Sequence, residues 1–367
     1  MNRLATEDAA EGELFPSFNS NQFDEQLALY QNYVSEFGIP DVLVVGSSRS
    51  LRGLDPAAIQ QTLAAQGYPD IQIFNFGING ATAQVINFLI AKVLPTEELP
   101  ELIVWADGAR AFNSGREDRT YNAIVLSAGY EALTKGMRPI QSQKPVEPVA
   151  TEPARSFFEV LSDAYQDLDD DINDLVAARS STYERREELS NLLLDAIETD
   201  SSATESVGDA IETEIPDDSD SGILYANGFL SLSERFDPVT YYENHPEVPG
   251  DYDSDYKSFQ LRGKQATAFS SLVEFVRSRG SELVFVNLPL TENYLDPVRM
   301  RYERDFQQYM LANSKEWGFV FRNLFDLLID EPQYFSDPSH LNRYGARSVS
   351  QRLAQDPMMP WLVGQED

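Results

Sequence analysis

The sequence predicts an α/β chain: a three-layer α/β/α sandwich around a parallel sheet, carrying an acidic helical insertion. Three observations predict it. Short, wholly apolar runs such as DVLVVG, IQIFNFG, ELIVWADG and ELVFVNLPL read as strands buried on both faces. Between them lie segments whose apolar residues recur at spacings of three and four, the helical period. The alternation stops after residue 113 and resumes near 256, and in between the stretch 198–220 holds nine acids and no Lys or Arg.

Residues 22–37 place Phe23, Leu27, Tyr30, Val34 and Phe37 on one helical face, and Gly38 and Pro40 end the helix. DVLVVGSS is then a strand opening into a Gly/Ser turn. Residues 55–67 read as a helix with Asp55 as N-cap and Pro56 at its first position. The second strand closes in Gly77-Ile78-Asn79-Gly80, residues 81–93 form a helix, and 101–108 make the third strand. Strands alternating with helices in this way pair in parallel and carry the helices on their faces.

Residues 114–150 read as irregular and become Pro-rich (KPVEPVATEP). From Phe158 an a/d-like series runs through Leu161, Tyr165, Leu168, Ile172 and Leu175, and a second helical stretch follows at 183–197. Together they suggest a helical hairpin packed on the core, or an arm through which a partner docks. Residues 198–220 read as a solvated linker. The expected division is therefore 1–113 with 223–367 for the α/β domain and 114–222 for the insertion. Beyond it, 256–279 and 297–316 read as helices, 282–290 as a buried strand and 318–328 as a short strand followed by a turn. A loop over 334–342 leads into a last helix from Arg343 to Ala354.

Composition narrows the function classes. The 367 residues include 28 Lys+Arg, 60 Asp+Glu, two His and no Cys, for a formal net charge of −32. Without cysteine there is no disulfide framework, thiolate metal site or cysteine nucleophile. So acidic a surface repels phosphate backbones, which argues against a nucleic-acid partner. Much of the charge is local: residues 151–222 carry −17 and the other 295 residues −15. No apolar run approaches the roughly 20 residues that cross a bilayer, so no membrane span is expected. The opening MNRLATEDAAEGELF has neither a charged n-region nor an apolar h-region. That suits a cytoplasmic chain or a soluble piece whose anchor has been cut away. No cofactor or metal site is expected: GSSRSLRG is not a GxGxxG loop, and DLDDDIND (167–174) lacks the Gly and terminal Glu of a calcium loop.

The strands of the parallel sheet end on one edge in small or polar residues: Gly46-Ser47-Ser48-Arg49, Asn75 to Gly80, and Asp107-Gly108. Open α/β sheets bind their ligands outside such carboxyl ends. Of the two histidines, His340 stands in Asp337-Pro338-Ser339-His340, before the final helix. A carboxylate three residues before an imidazole can accept from Nδ1–H and hold the tautomer that leaves Nε2 free to take a proton from a hydroxyl. His245, in YYENHPEVPG, has no such neighbour and reads as a surface loop residue.

These residues resemble the SGNH/GDSL hydrolases. VVGSSRS matches the family's first block, with Ser48 as nucleophile and Ser47 where the name-giving Asp stands. NFGINGATA matches the second, with Gly80 supplying an N–H to the oxyanion hole, and Asp337 and His340 match the closing DxxH. The third block departs: the family's GxND reads WADGARAFN here, leaving Asn113 or Arg110 as the third oxyanion donor. The likeness spans 38–113 and 256–356. It is greatest to uncharacterised cyanobacterial proteins and, more distantly, to DltD-type and alginate O-acetylation proteins. It implies an SGNH-hydrolase-like sandwich in flavodoxin-like strand order. The implied activity is that of a serine esterase or O-acyltransferase, acting on an acylated small molecule or an envelope polysaccharide. The alternative is a catalytically weak scaffold binding a polysaccharide or an assembly partner. Such relatives commonly work outside the cytoplasm on an N-terminal anchor, which would make this chain a trimmed periplasmic ectodomain.

Overall fold

Five short strands pair in parallel to form the central sheet: β1 (Val42–Gly46), β2 (Ile73–Gly77), β3 (Leu102–Asp107), β4 (Glu282–Asn287) and β5 (Val320–Asn323). The computed structural model describes residues 15–95, 99–140 and 222–361. The strand order is 2-1-3-4-5, the flavodoxin-like order, with Val42 opposite both Ile73 and Leu102, Leu102 opposite Glu282, and Val284 opposite Val320. The order reverses direction between β1 and β3, the place where ligands settle in open α/β sheets.

The strands are apolar on both faces because each face has its own helical layer. Alternate residues point to opposite sides. Leu43, Val45, Phe74, Phe76, Trp105 and Phe285 join one core, with the helices α1 (Asn21–Phe37), α4 (Ala83–Phe88), α8 (Lys264–Ser278) and α9 (Pro297–Trp317). Val42, Val44, Ile73, Val104, Val284 and Val286 join the other, with α3 (Pro56–Ala65) and α10 (Arg343–Ala354). One core is aromatic and the other aliphatic. Phe285 lies within 5.4–6.1 Å of the rings of Trp105, Phe112, Phe269 and Phe306. Truncating it to Ala would empty that cluster at a cost of about 3–5 kcal/mol.

The local signals act as their chemistry dictates. Asp55 caps α3 by accepting from the Ala57 N–H at 2.9 Å, and Pro56 is the first helical residue. Asp296 and Pro297 repeat the device on α9, and Ser20 caps α1. Elsewhere the elements differ from the periodicity. Residues 81–93 are α-helical only over Ala83–Phe88 and continue as a π-helical turn over Leu89–Val93. The helix expected from 256 begins at Lys264, because 256–262 is held by hydrogen bonds to the turn after β3. The loop at 334–342 contains a small antiparallel hairpin, Phe335–Asp337 with His340–Leu341.

Residues 114–140 are not irregular. They form α5 (Arg119–Val125) and α6 (Ala128–Thr134), capped by Asp118 and Ser127. Asp118 also bonds Thr82 and accepts from Gln265 Nε2 at 2.9 Å, and the Gly129 N–H donates to Ser17 C=O. This segment is therefore part of the α/β unit, and a boundary at 114 falls too early. The chain divides into two units, Met1–Val146 with Asp220–Asp367, and Glu147–Ser219. The helical hairpin expected over 158–197 and the acidic linker fall in the second, outside the described residues.

Candidate active site

β1 ends in a turn that only glycine can make. Gly46 has φ +150°, and a Cβ there would run into the Ala106 carbonyl and lie 2.7 Å from Ser50 Cβ. The chain turns at once into α2 (Ser48–Gly53), with Ser47 as N-cap accepting from the Arg49 N–H at 3.3 Å. Ser47 is locked to the end of β3: its N–H donates to Asp107 Oδ2 at 2.8 Å and its hydroxyl to Oδ1 at 3.0 Å. Ser48 is thus the first residue of a helix, with an N–H that has no intrahelical carbonyl to meet.

Its hydroxyl meets His340. Ser48 Oγ is 2.8 Å from His340 Nε2, and His340 Nδ1 is 2.6 Å from Asp337 Oδ2. The short contact to a carboxylate puts the proton on Nδ1, so Nε2 accepts from the serine. The other carboxylate oxygen of Asp337 accepts from the N–H groups of Ser339 (2.7 Å) and His340 (3.0 Å). The tight turn between the two hairpin strands therefore orients the acid. Burial works against the Asp337 charge, but His340, the Ser339 N–H and Arg52 outweigh it and hold the carboxyl well below the usual range. Burial also lowers His340 from its ordinary value; Asp337 opposes this, while Arg52 and Arg110 add to it. The net direction favours the neutral ring, the form able to take a proton.

Gly80, with φ +71°, lies on the exposed turn after β2, and the Ile78 N–H donates to Gly46 C=O at 2.9 Å, so the first two turns adjoin. The third turn separates the two residues that the sequence leaves open. Asn113 is fully buried, and both amide hydrogens are spent, on Asp255 C=O and Lys257 C=O at 2.9 Å each. Its carbonyl accepts from the Gly115 and Gln260 N–H groups. Asn113 is a buried cross-link, with no donor left for an oxyanion. Arg110 keeps donors: its guanidinium makes one long hydrogen bond, 3.4 Å to the Tyr294 hydroxyl, and lies 3.6 Å from Asp255. Burial opposes its charge, but Tyr294, Asp255, Tyr256 and Asp253 hold its pKa well above the ordinary value. Behind it, buried Arg49 donates to the Leu288 and Pro289 carbonyls, tying the end of β4 to the Ser47-Ser48 turn.

Sequence reasoning missed the other wall. A cleft of about 540 Å³ runs from Asp337, Ser339 and His340 to Tyr241, Tyr242 and Tyr294. His245 is exposed, as expected of a loop residue, but it caps α7 (Pro238–Asn244) and stacks on Tyr241 at 4.4 Å, so it belongs to this wall. The signal is compositional: YYENHPEVPGDYDSDY holds four Tyr in sixteen residues, more than a solvated loop needs.

Among the described residues no helix is long and apolar enough to cross a membrane, and no group of three or more His, Asp or Glu is placed to hold a metal ion. No model of a known protein family matches the chain, and no curated protein matches it either.

Proposed function

We propose that the chain is a serine-dependent esterase or O-acyltransferase of SGNH/GDSL type, acting through an acyl-serine intermediate on an acylated small molecule or a polysaccharide. The observation that carries this reading is the continuous relay Ser48 Oγ–His340 Nε2 at 2.8 Å and His340 Nδ1–Asp337 Oδ2 at 2.6 Å. Ser48 Oγ attacks the ester carbonyl as its proton passes to Nε2, and Asp337 stabilises the imidazolium that forms. The tetrahedral oxyanion is held by the N–H groups of Ser48 and Gly80 and by the Arg110 guanidinium. A missing donor in such a hole costs about 10²–10³ in rate. Collapse expels the alcohol, protonated by His340. Water, or the hydroxyl of an acceptor, then takes the acyl group by the same steps in reverse. Replacing Ser48 with Ala abolishes turnover of an aryl acetate ester on this reading, and wild-type rates in that variant would sink it.

One observation favours a second reading, a catalytically weak scaffold that binds a polysaccharide or an assembly partner. The asparagine nearest the family's oxyanion slot is wholly engaged in structure. Such a scaffold would show no serine-dependent turnover in the same assay.

A further inference from the structure

The cleft beside His340 has an electrostatic character that the Ser48–His340–Asp337 relay does not require. Four tyrosines line it, Tyr241, Tyr242, Tyr252 and Tyr294. Tyr252 is 81% exposed, an open aromatic surface. Of the charged groups on its wall, Arg299 is paired with Asp253 at 3.0 Å, and Asp337 with His340. That leaves Glu247, which has no ion pair or hydrogen bond among the described residues. One of the four tyrosines already holds cations: the Arg299 guanidinium lies 4.3 Å over the Tyr294 ring, with Arg110 at 5.5 Å. Aromatic faces attract cations, and more so when a carboxylate stands beside them and water is partly displaced. Both Glu247 and Asp337 bear on Tyr242: after burial, their negative charges are what push its hydroxyl pKa up, against Arg299. An anionic ligand would meet those two carboxylates, whereas a cation would gain the charge of Glu247, whose carboxylate is exposed at the cleft mouth.

We infer that the cleft is a subsite for a small organic cation, the ammonium group of an ester or of an acyl acceptor, held against the cleft tyrosines with Glu247 as counter-ion. The inference rests on the esterase reading for its place in a reaction, but binding can be measured without turnover. Calorimetric titration of the full chain with choline and with 3,3-dimethylbutan-1-ol compares two alcohols of one shape, differing in the charge. The expected result is choline binding about tenfold more tightly, with that preference lost in Glu247→Gln and melting behaviour unchanged. Equal binding of the two alcohols, no binding of either, or a Glu247→Gln variant that keeps the preference would overturn it. Aryl acetate hydrolysis by the wild type separates the two ideas. Ser48-dependent hydrolysis without a choline preference removes the cation subsite alone. A choline preference without any serine-dependent turnover removes the esterase reading alone.

Discussion

The His340 side of the site and the Arg110 side are built differently. On the first, every group that orients the imidazole comes from the same four-residue turn: Asp337 accepts from His340 Nδ1 and from the N–H groups of Ser339 and His340. On the second, Arg110 is reached by Tyr294 and Asp255, residues far along the chain, and Asn113 is bound to carbonyls and N–H groups between 255 and 260. The first side is a local motif needing only a hairpin to present it. The second exists only when a distant segment folds back onto the end of β3. Local damage should therefore cost chemistry on the first side and stability on the second.

The largest effect is expected at Asp337. Asp337→Asn keeps the turn but favours the wrong tautomer of His340, and kcat should fall by about 10³–10⁴ with little loss in thermal stability. A variant within tenfold of wild type would mean that the turn, and not the charge, orients the ring. Asn113→Ala should show the opposite pattern. It strands two carbonyls and two N–H groups in a partly buried place and leaves a void where Asn113 stood, and denaturant unfolding should report a loss of about 1–3 kcal/mol. If it instead lowers kcat with no change in unfolding midpoint, Asn113 is a donor after all. Arg110→Gln is the intermediate case, with kcat reduced by about 10–10²-fold and KM little changed.

The smallest effect is a shift in pH dependence. His340 must be neutral to accept the serine proton, and burial holds its pKa below the ordinary value. The acid limb of kcat/KM should thus fall below the usual histidine titration, with a plateau through neutral pH. Arg110 contributes to that lowering, so Arg110→Gln should move the limb upward. A limb that stays put in Arg110→Gln would detach the two sides from each other.

The same contrast explains what could be read from the sequence. Strands buried on both faces announce themselves as apolar runs, and Gly46-Ser47-Ser48 and Asp337-Pro338-Ser339-His340 carry their geometry within a few residues. Asp55 with Pro56, and Arg343 to Ala354, mark helix limits by caps and periodicity, and α10 spans those two residues. The difference between Asn113 and Arg110 was not legible, because it depends on Asp255, Lys257 and Tyr294, whose placement no local signal encodes. Nor were α5 and α6, which owe their helices to side-chain caps at Asp118 and Ser127 and to contacts with Ser17, Asn19 and Phe88 more than to a strong apolar stripe. His245 has no carboxylate three residues before it, and its place on the cleft wall comes from stacking on Tyr241.

The proposed chemistry stands or falls on activation of the Ser48 hydroxyl by His340. The most direct measurement is intact-protein and peptide mass spectrometry after treatment with a fluorophosphonate probe, which reacts only with an activated hydroxyl. One adduct per chain is expected, on Ser48, with labelling strongly slowed in His340→Ala. No adduct, or an adduct whose rate is indifferent to His340→Ala, would contradict it.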